Sequence, residues 1–284
     1  MLHLHDVPDG LLRPVARAVG AALDAAGELA PAHVMVVGAW CRDILHSALG
    51  HRFLTAATRD LDLALALSSW DAYRTLAASF VRVGDTGIRF RIAETDVDLL
   101  PFGDIEDPQG VVEPPTRRQA LSVWAFDEVF SASLPLALTG TLTIRIPTAA
   151  GYAATKLGAW LDRSEWHENK DATDLALILH WYAESAVILD RLYDTQVGQD
   201  VLIAEDADVA LAAAHLLGLD IVEIIGRQRR AELLARWPGN SELLARELIL
   251  RTGPTGPPEV NRRRALIDAL TRGLTVRSDG PHGT

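Results

Sequence analysis

Residues 31–67 read PAHVMVVGAWCRDILHSALGHRFLTAATRDLDLALAL, and this stretch determines how the rest of the chain is interpreted. A short apolar run ends at Gly38 and an amphipathic segment from Arg42 to Leu49 follows, which predicts a strand, a tight turn and a short helix. In the alternating run that comes next, Asp60 and Asp62 fall on one face and the leucines on the other. The leucines can therefore pack inward while both carboxylates point the same way.

Two carboxylates on one strand face are costly without a counter-charge. At about 6–7 Å and an effective dielectric of about 20, repulsion between Asp60 and Asp62 is on the order of 2–3 kcal/mol. A divalent cation removes this cost, and hard oxygen ligands suit magnesium or manganese. The alternative is that both are ordinary polar residues on a half-exposed strand. The preceding glycine turn and acidic residues further along the chain favour the metal site.

Composition and charge narrow the class of protein. The 284 residues are 49% hydrophobic and 23% charged, enough for one large domain or two modest ones. The single cysteine excludes a disulfide framework. We find no apolar run near the ~18 residues of a membrane span and no signal pattern, and therefore expect a cytoplasmic protein without membrane contact.

The net charge of −11 argues against a surface built to bind phosphates. A local basic patch is still compatible with the sequence, and a solvated helix face is the alternative. The arginines concerned are Arg227, Arg229, Arg230, Arg236, Arg262, Arg263 and Arg264.

The N-terminal part of the chain mixes helices and strands. Apolar residues recur at helical spacing from about Gly10 to Gly27, which predicts an opening helix. Ser68-Ser69 can cap a second helix that extends to Phe80. Two alternating runs, Arg89–Ile92 and Asp96–Leu100, are separated by three residues and predict a hairpin.

The second run of that hairpin carries a third carboxylate. Asp98 shares a face with Asp96, while the apolar residues between and after them alternate to the other face. A neighbouring strand can therefore add an acidic side chain to the first pair. Residues 104–118, rich in proline and acid, predict a surface loop, and residues 119–138 show no assignable pattern.

The pattern changes after Pro147. Residues 141–146 predict the last strand of the first unit, and beyond Pro147 the periodicity is helical. The predicted helices span residues 149–163, 170–183, 185–192, 207–217, 221–236, 241–250 and 258–272. We therefore predict an α+β chain with a mixed domain at 1–147, an all-helical domain at 148–272 and a flexible tail at 273–284.

Taken together, these motifs resemble a known family. Gly38-Ala39 before a helix, then Asp60-Leu61-Asp62, then Asp98 resembles the nucleotidyltransferase fold of the DNA polymerase beta superfamily. Downstream, KLGAWLDR at Lys156–Arg163 and KDATDL at Lys170–Leu175 resemble the AbiEii/AbiGii toxin-like nucleotidyltransferases, which include toxins of toxin–antitoxin and phage-defence systems. The resemblance covers roughly half of the chain.

The resemblance implies a fold and roles for particular residues. The N-terminal domain would be a polymerase-beta-like mixed sheet with flanking helices. Asp60 and Asp62 would carry Mg²⁺, or Mn²⁺, with Asp98 completing the site and acting as, or next to, the base for the attacking hydroxyl. This agrees with the physical chemistry of the residues, since carboxylates bind the ions and the ions neutralise triphosphate charge.

Further along, Lys156 and Arg163 are seven residues apart, so one helix face presents both cations, and they suit a nucleotide's phosphates. Asp171 and Asp174 also share a face. In the family the last aspartate contributes to the active site by orienting the lysine or the acceptor. The alternative for both aspartates is an ordinary salt-bridged helix pair.

The glycine turn departs from the family pattern. Many relatives have Gly-Ser or Gly-Gly where this chain has Gly38-Ala39, so neither a serine contact to phosphate nor a second flexible glycine is present. The sequence GAWCRD at Gly38–Asp43 instead resembles the turn of CCA-adding enzymes and bacterial poly(A) polymerases, although the rest of that pattern does not follow. Arg42 could reach a phosphate or lie on the helix surface. Arg59 could contact the nucleotide or only balance the carboxylates.

The function that the resemblance implies is magnesium-dependent transfer of a nucleoside monophosphate from an NTP to a hydroxyl acceptor, with release of pyrophosphate. For the acceptor, it favours tRNA or another macromolecule, in a toxin countered by an antitoxin protein. A second hypothesis is an antibiotic nucleotidyltransferase, whose acidic cleft would attract a cationic aminoglycoside. A third is a catalytically silent module that binds a partner.

Overall fold

The computed structural model describes residues 4–26, 29–58, 60–117, 119–164, 170–237, 241–250 and 258–276. The strands are β1 (Val34–Val37), β2 (Leu61–Ala66), β3 (Val81–Arg82), β4 (Arg89–Ile92), β5 (Thr95–Phe102), β6 (Val111–Val112), β7 (Leu121–Ser122), β8 (Leu134–Ala137) and β9 (Thr143–Ile146). The helices are α1 (Asp9–Ala25), α2 (Gly38–Ala48), α3 (Trp70–Ser79), α4 (Phe126–Ser131), α5 (Ala149–Arg163), α6 (Lys170–Glu184), α7 (Ala186–Asp194), α8 (Gln196–Ala204), α9 (Val209–Arg236), α10 (Ser241–Glu247) and α11 (Val260–Thr275), with short 3₁₀ turns at Leu4–Asp6 and Pro31–His33.

The N-terminal elements build a mixed sheet in the order β3-β4-β5-β2-β1-β9-β8. Strands β2 and β5 run parallel, as do β1 and β9, and the other neighbours are antiparallel. All four residues of β1 are buried, which places this strand in the core. The mixed sheet with flanking helices, followed by a helical region, confirms the predicted α+β class.

The chain divides into two compact units, residues 2–155 and 156–284, and helix α5 spans the division. The first unit contains the sheet. The second unit consists of the remainder of α5 and helices α6 to α11 in the part of the chain that is described.

Several helices differ from the predicted bounds. Helix α2 begins at Gly38 itself, so the expected turn is the first residue of the helix. Helix α8 was not predicted at all. Helix α9 joins two predicted segments and contains a break at Gly226, which has φ 69°. Helix α11 continues to Thr275, past the predicted start of the tail at Gly273, and residues 277–284 lie outside the described residues.

Among the described helices, α9 alone is long and apolar enough by length and composition to cross a membrane. Its most apolar window has a mean hydropathy of 1.8, and 50% of that window is buried within the protein. Helices α6 and α7 meet the same test together, with a 59° bend between them. The sequence prediction missed these stretches. They are weak evidence for a span, because the core helix of a water-soluble protein has the same properties.

In the second unit, α9 and α11 approach closely at two glycines. A Cβ on Gly218 would collide with the carbonyl oxygen of Leu270 and lie 2.8 Å from the Cα of Gly273. A Cβ on Gly273 would collide with the carbonyl oxygen of His215. The two backbones are therefore in contact, and no side chain fits between them.

We expect Gly218→Ala to lower the free energy of unfolding by about 1–3 kcal/mol, because the added methyl forces the two helices apart. Gly20→Ala is the matched control, since Gly20 also lies inside a helix and an added Cβ there would meet no described atom within 4 Å. That change should stabilise the protein by roughly 0.5–1 kcal/mol. Urea unfolding measures both, and an equal effect at the two sites would contradict the close approach.

Candidate active site

The register of β2 and β5 brings two carboxylates together. Asp62 and Asp98 are direct partners in this parallel pair, so their Cα atoms are about 4.8 Å apart and their side chains leave the same face of the sheet. Both are half-buried, whereas Leu61 and Leu63 on the opposite face are fully buried. Asp60 lies one residue before β2 begins.

A guanidinium lies between two of the three carboxylates. Arg89 donates from Nε to Asp98 Oδ1 at 2.8 Å and from Nη2 to Asp98 Oδ2 at 2.9 Å. Its Nη2 is also 2.9 Å from Asp60 Oδ2. The pKa of Arg89 is raised above its ordinary value, first by the hydrogen bond to Asp98 and then by the negative charges of Asp98, Asp60 and Asp62. Within the described residues, Arg89 therefore supplies positive charge to this cluster.

Sequence reasoning missed Arg89, although a signal for it was present. The hairpin turns at Ala93-Glu94, both with positive φ, and this fixes β4 against β5 so that Arg89 faces Asp98 and Arg91 faces Asp96. Two arginines at alternate positions opposite two aspartates at alternate positions predict cross-strand ion pairs once the turn is located. The sequence pattern predicts three residues between the two strands, whereas the structure has two. The pairing of Arg89 with Asp98 follows only from the two-residue turn.

The carboxylates are the type of ligand that a hard cation binds, but their side chains are not positioned around a common ion site. Their oxygens are the donors that Mg²⁺ and Mn²⁺ prefer. Yet within the described residues no group of three or more His, Cys, Asp or Glu side chains is positioned to hold a metal ion. Arg89 accounts for this, because it holds Asp60 and Asp98 itself. The repulsion among the aspartates is therefore offset by the guanidinium of Arg89 in this structure.

Gly38 brings the start of helix α2 against Asp62. It has φ +63°, and a Cβ there would overlap Asp62 Oδ2 and lie 2.7 Å from the Asp62 Cγ. No side chain caps the helix at Val37, and Ala39 follows as its second residue. The first backbone N–H groups of α2 thus lie beside the carboxylate cluster, where the positive end of a helix dipole attracts anions.

Arg42 braces a loop rather than lying on the helix surface. It is 6% exposed, its Nε donates to Asp43 Oδ1 at 2.8 Å, and its Nη2 donates to the carbonyl oxygen of Ala56 at 2.5 Å. Thr55 donates to the same Asp43 oxygen at 2.7 Å. These bonds tie the segment before Asp60 to helix α2. The predicted contact at Arg59 lies outside the described residues.

The second unit contains its own charge cluster. Lys156 Nζ is 3.1 Å from Asp171 Oδ1 and 2.6 Å from Asp174 Oδ2, and Arg163 Nη2 is 2.7 Å from Asp171 Oδ2. Burial lowers the pKa of Lys156, but the charges of Asp174 and Asp171 outweigh this and leave it raised. Both predicted cations therefore pair with the two predicted aspartates, and Asp171 is fully buried.

The arginines considered for a basic patch are largely engaged within the protein. Arg229 is 2% exposed and lies beside Glu232. The other contacts are Arg230 with the carbonyl oxygens of Leu274 and Thr275, Arg236 with Asp162, Arg262 with Asp208, Arg263 with the carbonyl oxygen of Arg246, and Arg264 with Glu242. These pairings favour a structural role over a surface for nucleic-acid phosphates.

Comparison with known proteins gives little further information. No family model matches the chain, and no curated protein matches it. Among solved structures, the CCA-adding enzyme of Thermotoga maritima, in complex with tRNA, is similar at 12% identity and a TM-score of 0.23, over 95% of this chain and 82% of that one. A TM-score this low does not establish a common fold.

We expect Gly38→Ala to destabilise the protein more than Gly50→Ala does. Both glycines have positive φ, so both substitutions carry the left-handed penalty of about 1–2 kcal/mol. Only Gly38 also contacts the Asp62 carboxylate, which should add about 1–3 kcal/mol. Urea unfolding of the two variants isolates the second effect. Equal losses would show that Asp62 moves aside without cost.

Lys156→Met should lower the free energy of unfolding by about 3–5 kcal/mol, because it leaves two buried carboxylates without their shared cation. The control is Arg246→Gln, which removes an exposed pair with Glu242 and should change stability little. Thermal unfolding of both variants is the measurement. A Lys156→Met protein as stable as the wild type would mean that the lysine is not needed to hold these aspartates.

Proposed function

We propose that this protein is a magnesium-dependent nucleotidyltransferase that moves a nucleoside monophosphate from an NTP to a hydroxyl acceptor and releases pyrophosphate. The observation that supports it most is the pairing of Asp62 with Asp98 on adjacent parallel strands, with Asp60 beside them and the start of α2 in contact. This combines carboxylates for a cation with backbone N–H groups for an anion. Both are needed by a reaction at a triphosphate.

In this proposal, Asp60, Asp62 and Asp98 would hold the divalent cation, which neutralises charge on the triphosphate when bound. The N-terminus of α2 would bind and orient phosphate oxygens, with Gly38 and Ala39 supplying backbone rather than a serine hydroxyl. Asp98 would accept the proton of the attacking hydroxyl. Because both of its oxygens accept from Arg89, that role requires the ion pair to open.

Two acceptors remain in competition. The family resemblance favours tRNA or another macromolecule, with the protein acting as a cytoplasmic toxin whose antitoxin blocks it. A specific observation favours the second candidate, a cationic small molecule such as an aminoglycoside. The net charge is −11, and most arginines that would have contacted RNA are paired with carboxylates or carbonyl oxygens. An acidic protein attracts a polycationic drug and repels a polyanion.

The decisive experiment supplies each of the four NTPs labelled on the α-phosphate, with Mg²⁺ or Mn²⁺, to total RNA and separately to a panel of aminoglycosides. Label in tRNA supports the first acceptor, and label in the drug supports the second. A parallel reaction with γ-labelled NTP must release the label as pyrophosphate. If the γ-label is instead found on the acceptor, the enzyme is a kinase. If neither label is transferred with any metal ion, the result favours the partner-binding module.

Asp62→Asn and Asp98→Asn should each reduce the transfer rate at least about 100-fold, because they remove charge that positions the cation at the triphosphate. Asp96→Asn is the matched control. Asp96 lies on the same face of β5 and pairs with Arg91, so its variant should transfer at close to the wild-type rate. Circular dichroism verifies folding. Wild-type turnover by either of the first two variants would remove the basis for this site.

A further inference from the structure

We propose that Arg89 is an exchangeable counter-ion of the carboxylate cluster: its guanidinium holds Asp60 and Asp98 in the metal-free protein and releases them when a divalent cation binds. This deepens the proposed function, on which it rests for the identity of the competing ion. It assigns to Arg89 the control of metal affinity at the same carboxylates.

The contacts of Arg89 are the basis for this competition. Two donors of Arg89 reach both oxygens of Asp98, and one of them also reaches Asp60. A divalent ion shared by these carboxylates would lie within a few ångströms of the guanidinium, and the two positive charges would repel each other strongly. Both cations therefore cannot hold the same oxygens at once.

The side chain of Arg89 can move while its backbone stays in place. Phe90 follows it on β4 and Ile92 ends the strand, and both are fully buried, so the strand is anchored in the core. The arginine side chain itself is 27% exposed and that of Asp60 is 39% exposed, so the contact between them can open toward solvent. Asp98 is more enclosed, at 13%, and stays in its register opposite Asp62.

The neighbouring ion pair provides an internal comparison. Arg91 pairs with Asp96 across the same two strands, at 2.6 Å, and its side chain is 51% exposed. Its ion pair joins it to one carboxylate, whereas Arg89 bridges two. If any cross-strand arginine altered metal binding through its charge alone, Arg91 would do so too.

The test is the equilibrium affinity for Mn²⁺, measured by isothermal titration and by the loss of the free-Mn²⁺ electron paramagnetic resonance signal, without nucleotide. We expect Arg89→Gln to bind Mn²⁺ about ten- to a hundredfold more tightly than the wild type, in line with the strength of hydrogen bonds between charged groups. Arg91→Gln, the matched control, should bind as the wild type does. Equal or weaker binding by Arg89→Gln, or an equal gain in Arg91→Gln, would overturn the proposal.

A second variant covers the case in which Arg89→Gln does not fold. Arg89→Lys keeps the positive charge but cannot contact both oxygens of Asp98 in the planar manner of arginine. We expect it to bind Mn²⁺ severalfold more tightly than the wild type, and an unchanged affinity would again overturn the proposal.

Transfer by the wild-type protein is measured separately with labelled NTP, so the two proposals fail in different ways. A protein that transfers nucleotides but whose Mn²⁺ affinity does not respond to Arg89 retains the proposed function and loses this inference. A protein whose affinity responds but which transfers to no acceptor retains the inference and loses the function.

Discussion

The Arg89 guanidinium offsets the repulsion among three acidic side chains that lie together on one face of the sheet. This arrangement depends on two ladders, the parallel one that aligns Asp62 with Asp98 and the antiparallel one that aligns Arg89 with Asp98. A slip of one residue in either would turn one partner to the opposite face. The site is therefore specified by strand register as much as by the residues themselves.

Each unit contains a pair of aspartates neutralised by a basic side chain, and the two clusters differ in their exposure to solvent. In each, a basic side chain lies between two aspartates: Arg89 in the sheet unit and Lys156 in the helical unit. The helical cluster is enclosed, since Asp171 is fully buried, and separating its charges would leave them in surroundings with little water. The sheet cluster is partly open to solvent at Asp60. Of the two clusters, the sheet cluster is therefore the one exposed enough for a ligand to replace its basic side chain.

The sequence predicted the elements whose cause is local. The buried run at β1, the alternation at β2 and the helix at Ala149–Arg163 follow from periodicity over a few residues, and the structure places them as expected. Helix α8 was missed because its apolar residues do not mark a single buried face: Val201 is buried, whereas Val197 and Ile203 are exposed. The join within α9 was missed because Gly218, in the predicted gap between residues 217 and 221, lies inside the helix, where it packs against α11.

The candidate site was predictable in part for the same reason. Asp60, Asp62 and Asp98 stand out because each alternates with leucine or valine, and a face can be assigned from spacing alone. Which residue pairs with Asp98 depends on which residues form the hairpin turn. The burial of Arg42 depends on the loop that contains Ala56, which folds back against helix α2. The pairing of Asp98 and the burial of Arg42 both depend on contacts between segments that are distant in sequence, and short-range patterns do not reveal such contacts.

The two-residue turn at Ala93-Glu94 also limits how the gene can change. A codon gained or lost there would reverse the orientation of every side chain on one arm of the hairpin relative to the other, so such an event would erase the cluster in one step. A length change between residues 104 and 110 would break the hydrogen bonds of Glu106 to Gly103 and Gly110 but would leave the sheet register intact, because that segment contains no sheet pairing. Descendants of this gene are therefore held to a fixed residue count in the hairpin if they are to keep the cluster.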